Sequence, residues 1–166
     1  MVTFISRVLT ICLIAYSFFE LKANVGFNAP TPGTPSATAA KLLFSIEILT
    51  SILFFVIPFF PETIHFGTRR LSDYSPEDLG RIMPLVRDMI ALMGCIFALY
   101  FSVNVHLLIH QALSPAPRAA ARAIVALEPW LVGGLLVALG AVTFYYLRRF
   151  DAATSSDDTP TDTAGD

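Results

Sequence analysis

The sequence predicts an all-α integral membrane protein, a four-helix bundle with short interfacial helices. Three observations carry this. Of the 166 residues 55% are hydrophobic and 14% charged, with a mean hydropathy of +0.65, whereas a soluble domain carries about 25% charged residues. The apolar residues fall in long runs, and a hydrocarbon core of about 30 Å needs about 20 of them in a helix rising 1.5 Å per residue. The last run is flanked by Pro129-Trp130 on one side and by Tyr145, Tyr146, Arg148 and Arg149 on the other, the aromatic and basic anchors of two membrane interfaces. This argues against a soluble single-core enzyme and excludes disorder except at the ends.

The first span is expected over about 3–21. Between Arg7 and Glu20 only 12 residues are uncharged, short for a span, but an arginine near a helix end reaches the headgroups along its aliphatic stem and lengthens the usable segment. The alternative is a signal peptide with Arg7 as its basic region. Glu20-Leu21-Lys22-Ala23 lacks the paired small residues of a cleavage site, so a retained helix is favoured. Asn28 to Ala40 holds three prolines and a glycine and reads as an irregular connection. The second span runs over about 42–60, with Glu47 as its one charge and Pro58 near its end.

Ser75-Pro76-Glu77-Asp78 is a helix start, with serine as N-cap, proline in the first turn and acids beside the helix dipole. It predicts a short surface helix from Pro76 to Met83. Pro84 then opens the third span, about 85–112. Ala119 to Leu127 is alanine-rich around Arg122 and predicts an interfacial helix ahead of a fourth span over about 129–147. Residues 1–150 thus form one transmembrane domain, and 151–166, rich in Ser, Thr, Asp and Pro, an acidic disordered tail.

With four spans, one side collects Arg7, Arg69, Arg70, Arg81, Arg87, Arg148 and Arg149, and the other Lys22, Lys41, Arg118 and Arg122. The basic excess marks the cytoplasmic side. Both termini are therefore expected in the cytoplasm, for a bacterial inner membrane or its equivalent. A net charge of −2 argues against a nucleic-acid partner. Cys12 and Cys95 lie inside apolar runs and read as small hydrophobes.

Polar residues within spans are the place to look for function, because each is costly in hydrocarbon. Glu47 lies six residues beyond Lys41, about 9 Å down its helix. His106 lies seven residues before Leu113 on the neighbouring span, about 10 Å from that end. Glu47 and His106 can therefore share one depth, with Asn104 and His110 nearby. This outer-leaflet group reads either as a proton relay, quinone-contacting pair or cofactor ligand, or as a hydrogen-bonded strut between helices.

His106 and His110 are four apart on one helix face, so they cannot flank a single haem iron. A single-histidine haem or chlorin ligand stays open; no other cofactor and no metal is expected. Gly133, Gly134, Ala138, Gly140 and Ala141 supply small residues that let another helix approach closely.

Pro61-Glu62-Thr63-Ile64-His65-Phe66-Gly67 resembles the Pro…His-Phe…Gly loop of small bacterial membrane proteins of the SdpI signal-transduction family. The likeness covers fewer than a dozen residues, has no counterpart to the Ser75–Arg87 helix start, and assigns neither fold nor function.

No His-Glu-x-x-His helix, nucleotide-binding glycine loop, Gly-x-Ser-x-Gly elbow or Cys-x-x-Cys occurs, so the sequence leans away from an enzyme. The first expectation is a non-catalytic accessory or scaffolding subunit, partnered by the lipid bilayer and by other membrane subunits. The second is a small transporter or permeation protein using the Glu/His site. The third is a haem- or chlorin-binding membrane protein.

Overall fold

The computed structural model describes residues 1–26, 35–60, 64–66, 69–70 and 74–154. It contains four helices: α1 (Val2–Asn24), α2 (Pro35–Val56), α3 (Pro76–Leu113) and α4 (Pro117–Thr154). All four are long and apolar enough to cross a membrane, and the protein is an all-α, four-helix membrane protein. A 3-10 turn, Ile57–Phe59, ends α2. Two antiparallel two-residue strands, β1 (His65–Phe66) and β2 (Arg69–Arg70), lie between α2 and α3.

The chain climbs in α1, descends in α2, climbs in α3 and descends in α4. We call the end where α1 begins proximal and the other distal. Thr3 meets Asp88 and Ser17 meets Ser102, each pair 85 residues apart, so α1 and α3 run parallel in one register. The central helix is α3, which packs against α1, α2 and α4, whereas α1 and α2 touch only lightly.

The inner face of α1 is polar and its outer face apolar. Ser6, Thr10, Ser17 and Leu21 are buried, while Phe4, Leu9, Ile11 and Phe19 are exposed. In water this would be inside out. In hydrocarbon, apolar side chains gain nothing by hiding from lipid, and small hydroxyl residues let helices approach. Two apolar clusters flank the polar seam. Leu21, Ala37, Ala40, Phe44, Val105 and Ile109 close the distal end; Ile82, Val86, Ile90, Tyr146 and Phe150 join α3 to α4 at the proximal end.

Helix ends follow local chemistry. Ser75 Oγ accepts the Asp78 amide at 3.1 Å and caps α3 with Pro76 in its first turn. Gly26, at φ 70°, donates its amide to the Leu21 carbonyl and ends α1 in a conformation that favours glycine. The start of α1 is capped from another helix: Asp88 Oδ1 accepts the Thr3 amide at 2.8 Å and also the Thr3 hydroxyl. A carboxylate there satisfies an orphan N–H and faces the positive end of the helix dipole.

Several sequence-based boundaries move. The first span extends to 2–24. Pro35–Ala40, expected to be irregular, is the first turn and a half of α2, because Pro35 suits a first helical turn and Ala37 and Ala40 are buried in the distal cluster; residues 27–34 lie outside the described residues. The segment 76–83 is not a separate surface helix: α3 runs unbroken through Pro84. Proline removes one hydrogen bond, to the Gly80 carbonyl, while Ile82, Val86 and Ile90 keep one buried stripe on both sides of it. Likewise 119–127 is continuous with the fourth span, and α4 passes through Pro129. The expected tail begins as helix to Thr154, and 155–166 lie outside the described residues, as do Pro61–Thr63 and Gly67. At 38 residues each, α3 and α4 reach about 57 Å and outrun a hydrocarbon core of about 30 Å.

Candidate functional site

Three helices converge on one carboxyl group. Glu47, on α2, is fully buried. Its Oε1 lies 2.8 Å from the Ser102 hydroxyl of α3, which donates to it. The Ser17 hydroxyl of α1 donates in turn to Ser102 Oγ at 2.9 Å. Ser102 has one proton and two acceptors in reach, Glu47 Oε1 and, at 3.3 Å, the Leu13 carbonyl; the shorter contact is to the carboxyl. Glu47 Oε2 has no hydrogen-bond partner among the described residues, an exception to the rule that buried polar atoms are paired.

The buried polar side chains of the described residues are Ser6, Thr10, Ser17, Glu47, Ser51 and Ser102, all on the faces where α1, α2 and α3 meet. On α1 they span the twelve residues from Ser6 to Ser17, about 16 Å of helix. Ser51 is one turn proximal of Glu47 on the same face of α2. Beside it a void of about 10 Å³ is lined by Arg7, Thr10, Ser51, Phe54 and Gly94 among others. That volume is close to the size of one water, and its lining supplies the polar partners a water needs.

The histidines belong to a second group, on the lipid-facing side of α1 and α3. His106 Nδ1 is hydrogen-bonded to the Tyr16 hydroxyl at 2.9 Å and lies 3.8 Å from Glu20 Oε2. His110 packs edge-on against His106 with ring centroids 4.4 Å apart. Asn104 belongs to neither group: its amide donates to the Tyr100 carbonyl of its own helix at 2.8 Å. The sequence expectation of one site holding Glu47, Asn104, His106 and His110 is therefore corrected. Glu47 turns inward to Ser102, whereas His106 turns toward Tyr16 of α1. Among the described residues no three His, Cys, Asp or Glu are placed to share a metal ion.

Sequence reasoning missed Ser17, Ser102, Tyr16 and Glu20 as partners. One signal was present: Ser6, Thr10 and Ser17 recur on one face of an otherwise apolar helix, and such residues in spans act as interhelical hydrogen-bond donors. The small residues of the fourth span divide. Gly134 and Ala138 border a gap of about 260 Å³ facing Ile96, Leu99 and Tyr100 of α3, whereas Gly140 and Ala141 are exposed. A methyl group added at Gly133, Gly134 or Gly140 would meet nothing within 4 Å. The close approach lies elsewhere, at Gly94, where an added Cβ would stand 2.9 Å from Phe54 Cβ.

Compared with known proteins, the chain matches no family model, no curated protein and no solved structure.

Proposed function

We propose that this is a small permeation protein in which Glu47 takes up and releases protons inside the membrane. The observation that carries the reading is Glu47 itself, buried between three helices with one oxygen on a hydroxyl chain and the other without a partner among the described residues. An intramembrane acid is costly to keep, which makes it a functional candidate by default. The seam around it offers proton carriers: Ser17 and Ser102 at the level of the carboxyl, and Ser51, Thr10 and the water-sized void proximally. Tyr16, His106 and Glu20 stand at the distal edge as a proton-exchanging antenna. The Lys and Arg distribution supports placing the proximal end in the cytoplasm of a bacterial cell.

Reconstituted in proteoliposomes, the wild-type chain should pass protons under an imposed pH gradient, and Glu47→Gln should abolish that flux while circular dichroism and elution volume stay unchanged. The glutamine keeps the shape and the acceptor for Ser102 but cannot exchange a proton. No flux in the wild type, or equal flux in both, eliminates the proposal.

A second reading, an accessory subunit, is favoured by α4. None of its most apolar window is buried, with Trp130 79% and Val137 73% exposed. A partner helix would cover this face and the small residues Gly140 and Ala141. After mild detergent extraction from its native membrane the protein should then run in native gels within a larger assembly, and a lone monomer in several detergents counts against it.

A further inference from the structure

At the proximal end, α1, the turn after α2 and α3 surround an open cavity of about 460 Å³, lined by Thr3, Arg7, Pro58, Phe59, Pro84, Arg87 and Asp88 among others. We propose that this cavity binds the phosphate of an anionic glycerophospholipid, gripped between Arg7 of α1 and Arg87 of α3.

Four features point to that ligand. The first is depth. The uncharged run of α3 begins at Met89, just after Asp88, and the apolar span of α1 begins at Val2, so the cavity lies where hydrocarbon gives way to headgroups. The second is charge. Two arginines and one carboxylate line the cavity, and that carboxylate is already engaged by the Thr3 amide and hydroxyl. The third is ligand geometry: guanidinium forks suit phosphate oxygens and bind them bidentately. Arg7 is half-buried, held with its Cζ 5.1 Å from the Phe55 ring centroid, while Arg87 is exposed and makes no ion pair among the described residues. The fourth is the wall. Pro58 and Pro84 are joined by Phe59, 70% exposed, an apolar surface suited to the glycerol end of an acyl chain. A soluble anion would have no use for it.

The test uses the full-length protein in neutral detergent, titrated with short-chain phosphatidylglycerol or phosphatidylcholine and read by native mass spectrometry and thermal unfolding. Phosphatidylglycerol should be retained in preference and should raise the unfolding temperature. Each arginine lost should lower its affinity about fivefold, the weight of one basic residue at an anionic surface. Arg87→Gln is the primary variant, since its side chain is exposed and supports no packing. Arg7→Lys, which keeps the charge but loses the fork, should weaken binding less than Arg7→Gln. The paired change Arg148→Gln/Arg149→Gln removes two charges at the same end of α4, outside the cavity, and should leave retention unchanged. Equal loss in that control pair, or no preference between the two lipids, overturns the proposal. An equal thermal shift with inorganic phosphate alone would assign the site to a free anion and overturn it as well.

Discussion

Replacing Gly94 by leucine should destroy the packing of α2 on α3. A Cβ at this position stands 2.9 Å from Phe54 Cβ and 3.2 Å from Phe54 Cγ. The nearer atom is tied to the α2 backbone, so no rotamer change removes the conflict and the helices must separate. Separation would also disturb the Phe54–Phe97 stack, with centroids 5.4 Å apart, and the seat of Glu47 two turns away. Gly94→Ala should cost about 1–3 kcal/mol, the usual penalty for overpacking, and leucine should prevent recovery of folded protein. Gly140→Ala is the matched control, because a methyl group there meets open space; it should stay within about 0.5 kcal/mol of wild type. Unfolding by dodecyl sulfate in mixed micelles, followed by circular dichroism, measures all three. If Gly94→Ala proved as benign as Gly140→Ala, the close approach of α2 and α3 would be wrong.

The second large effect is expected at Ser102. Ser102→Ala removes the hydroxyl bonded to Oε1 of the fully buried Glu47 carboxyl. Stranding a buried polar group costs about 1–3 kcal/mol, and more for a charged one. Glu47→Leu alone should cost less, because Ser102 retains the Leu13 carbonyl and the Ser17 hydroxyl as partners. The double variant Glu47→Leu/Ser102→Ala should recover most of the loss, since removing both partners of a buried polar contact is far milder than removing one. The coupling energy from this cycle should be about 1–3 kcal/mol. Strict additivity would show that the two side chains do not interact.

The helices were legible because hydrocarbon imposes a simple rule: a span must be long, apolar and helical. Leu42, Met89 and Pro129 each fall inside a helix on that rule alone. Ser75 and Pro76 announced the start of α3 through local hydrogen bonding, which a few neighbouring residues determine. The unbroken passage through Pro84 was not legible, because a buried stripe shared with Tyr146 and Phe150 outweighs one lost hydrogen bond, and those partners lie more than 60 residues away in sequence. The site was half legible. Glu47 stood out as the lone acid of its span, yet its partner depends on how far each helix is rotated, and on this the sequence of one helix is silent. Asp88 escaped notice for the same reason, since its role as a cap is played on a helix other than its own.

The parallel pairing of α1 with α3 has a bearing on biosynthesis. Thr3 and Ser17 on the inner face of α1 each answer to a residue made 85 positions later, and α2 alone gives α1 little to hold. As the chain leaves the ribosome, α1 therefore resides in the bilayer as an unmatched helix until the third segment inserts. Chains arrested after α2 should be recognised by membrane proteases as orphans, and maturation of the nascent protein should occur in one late step.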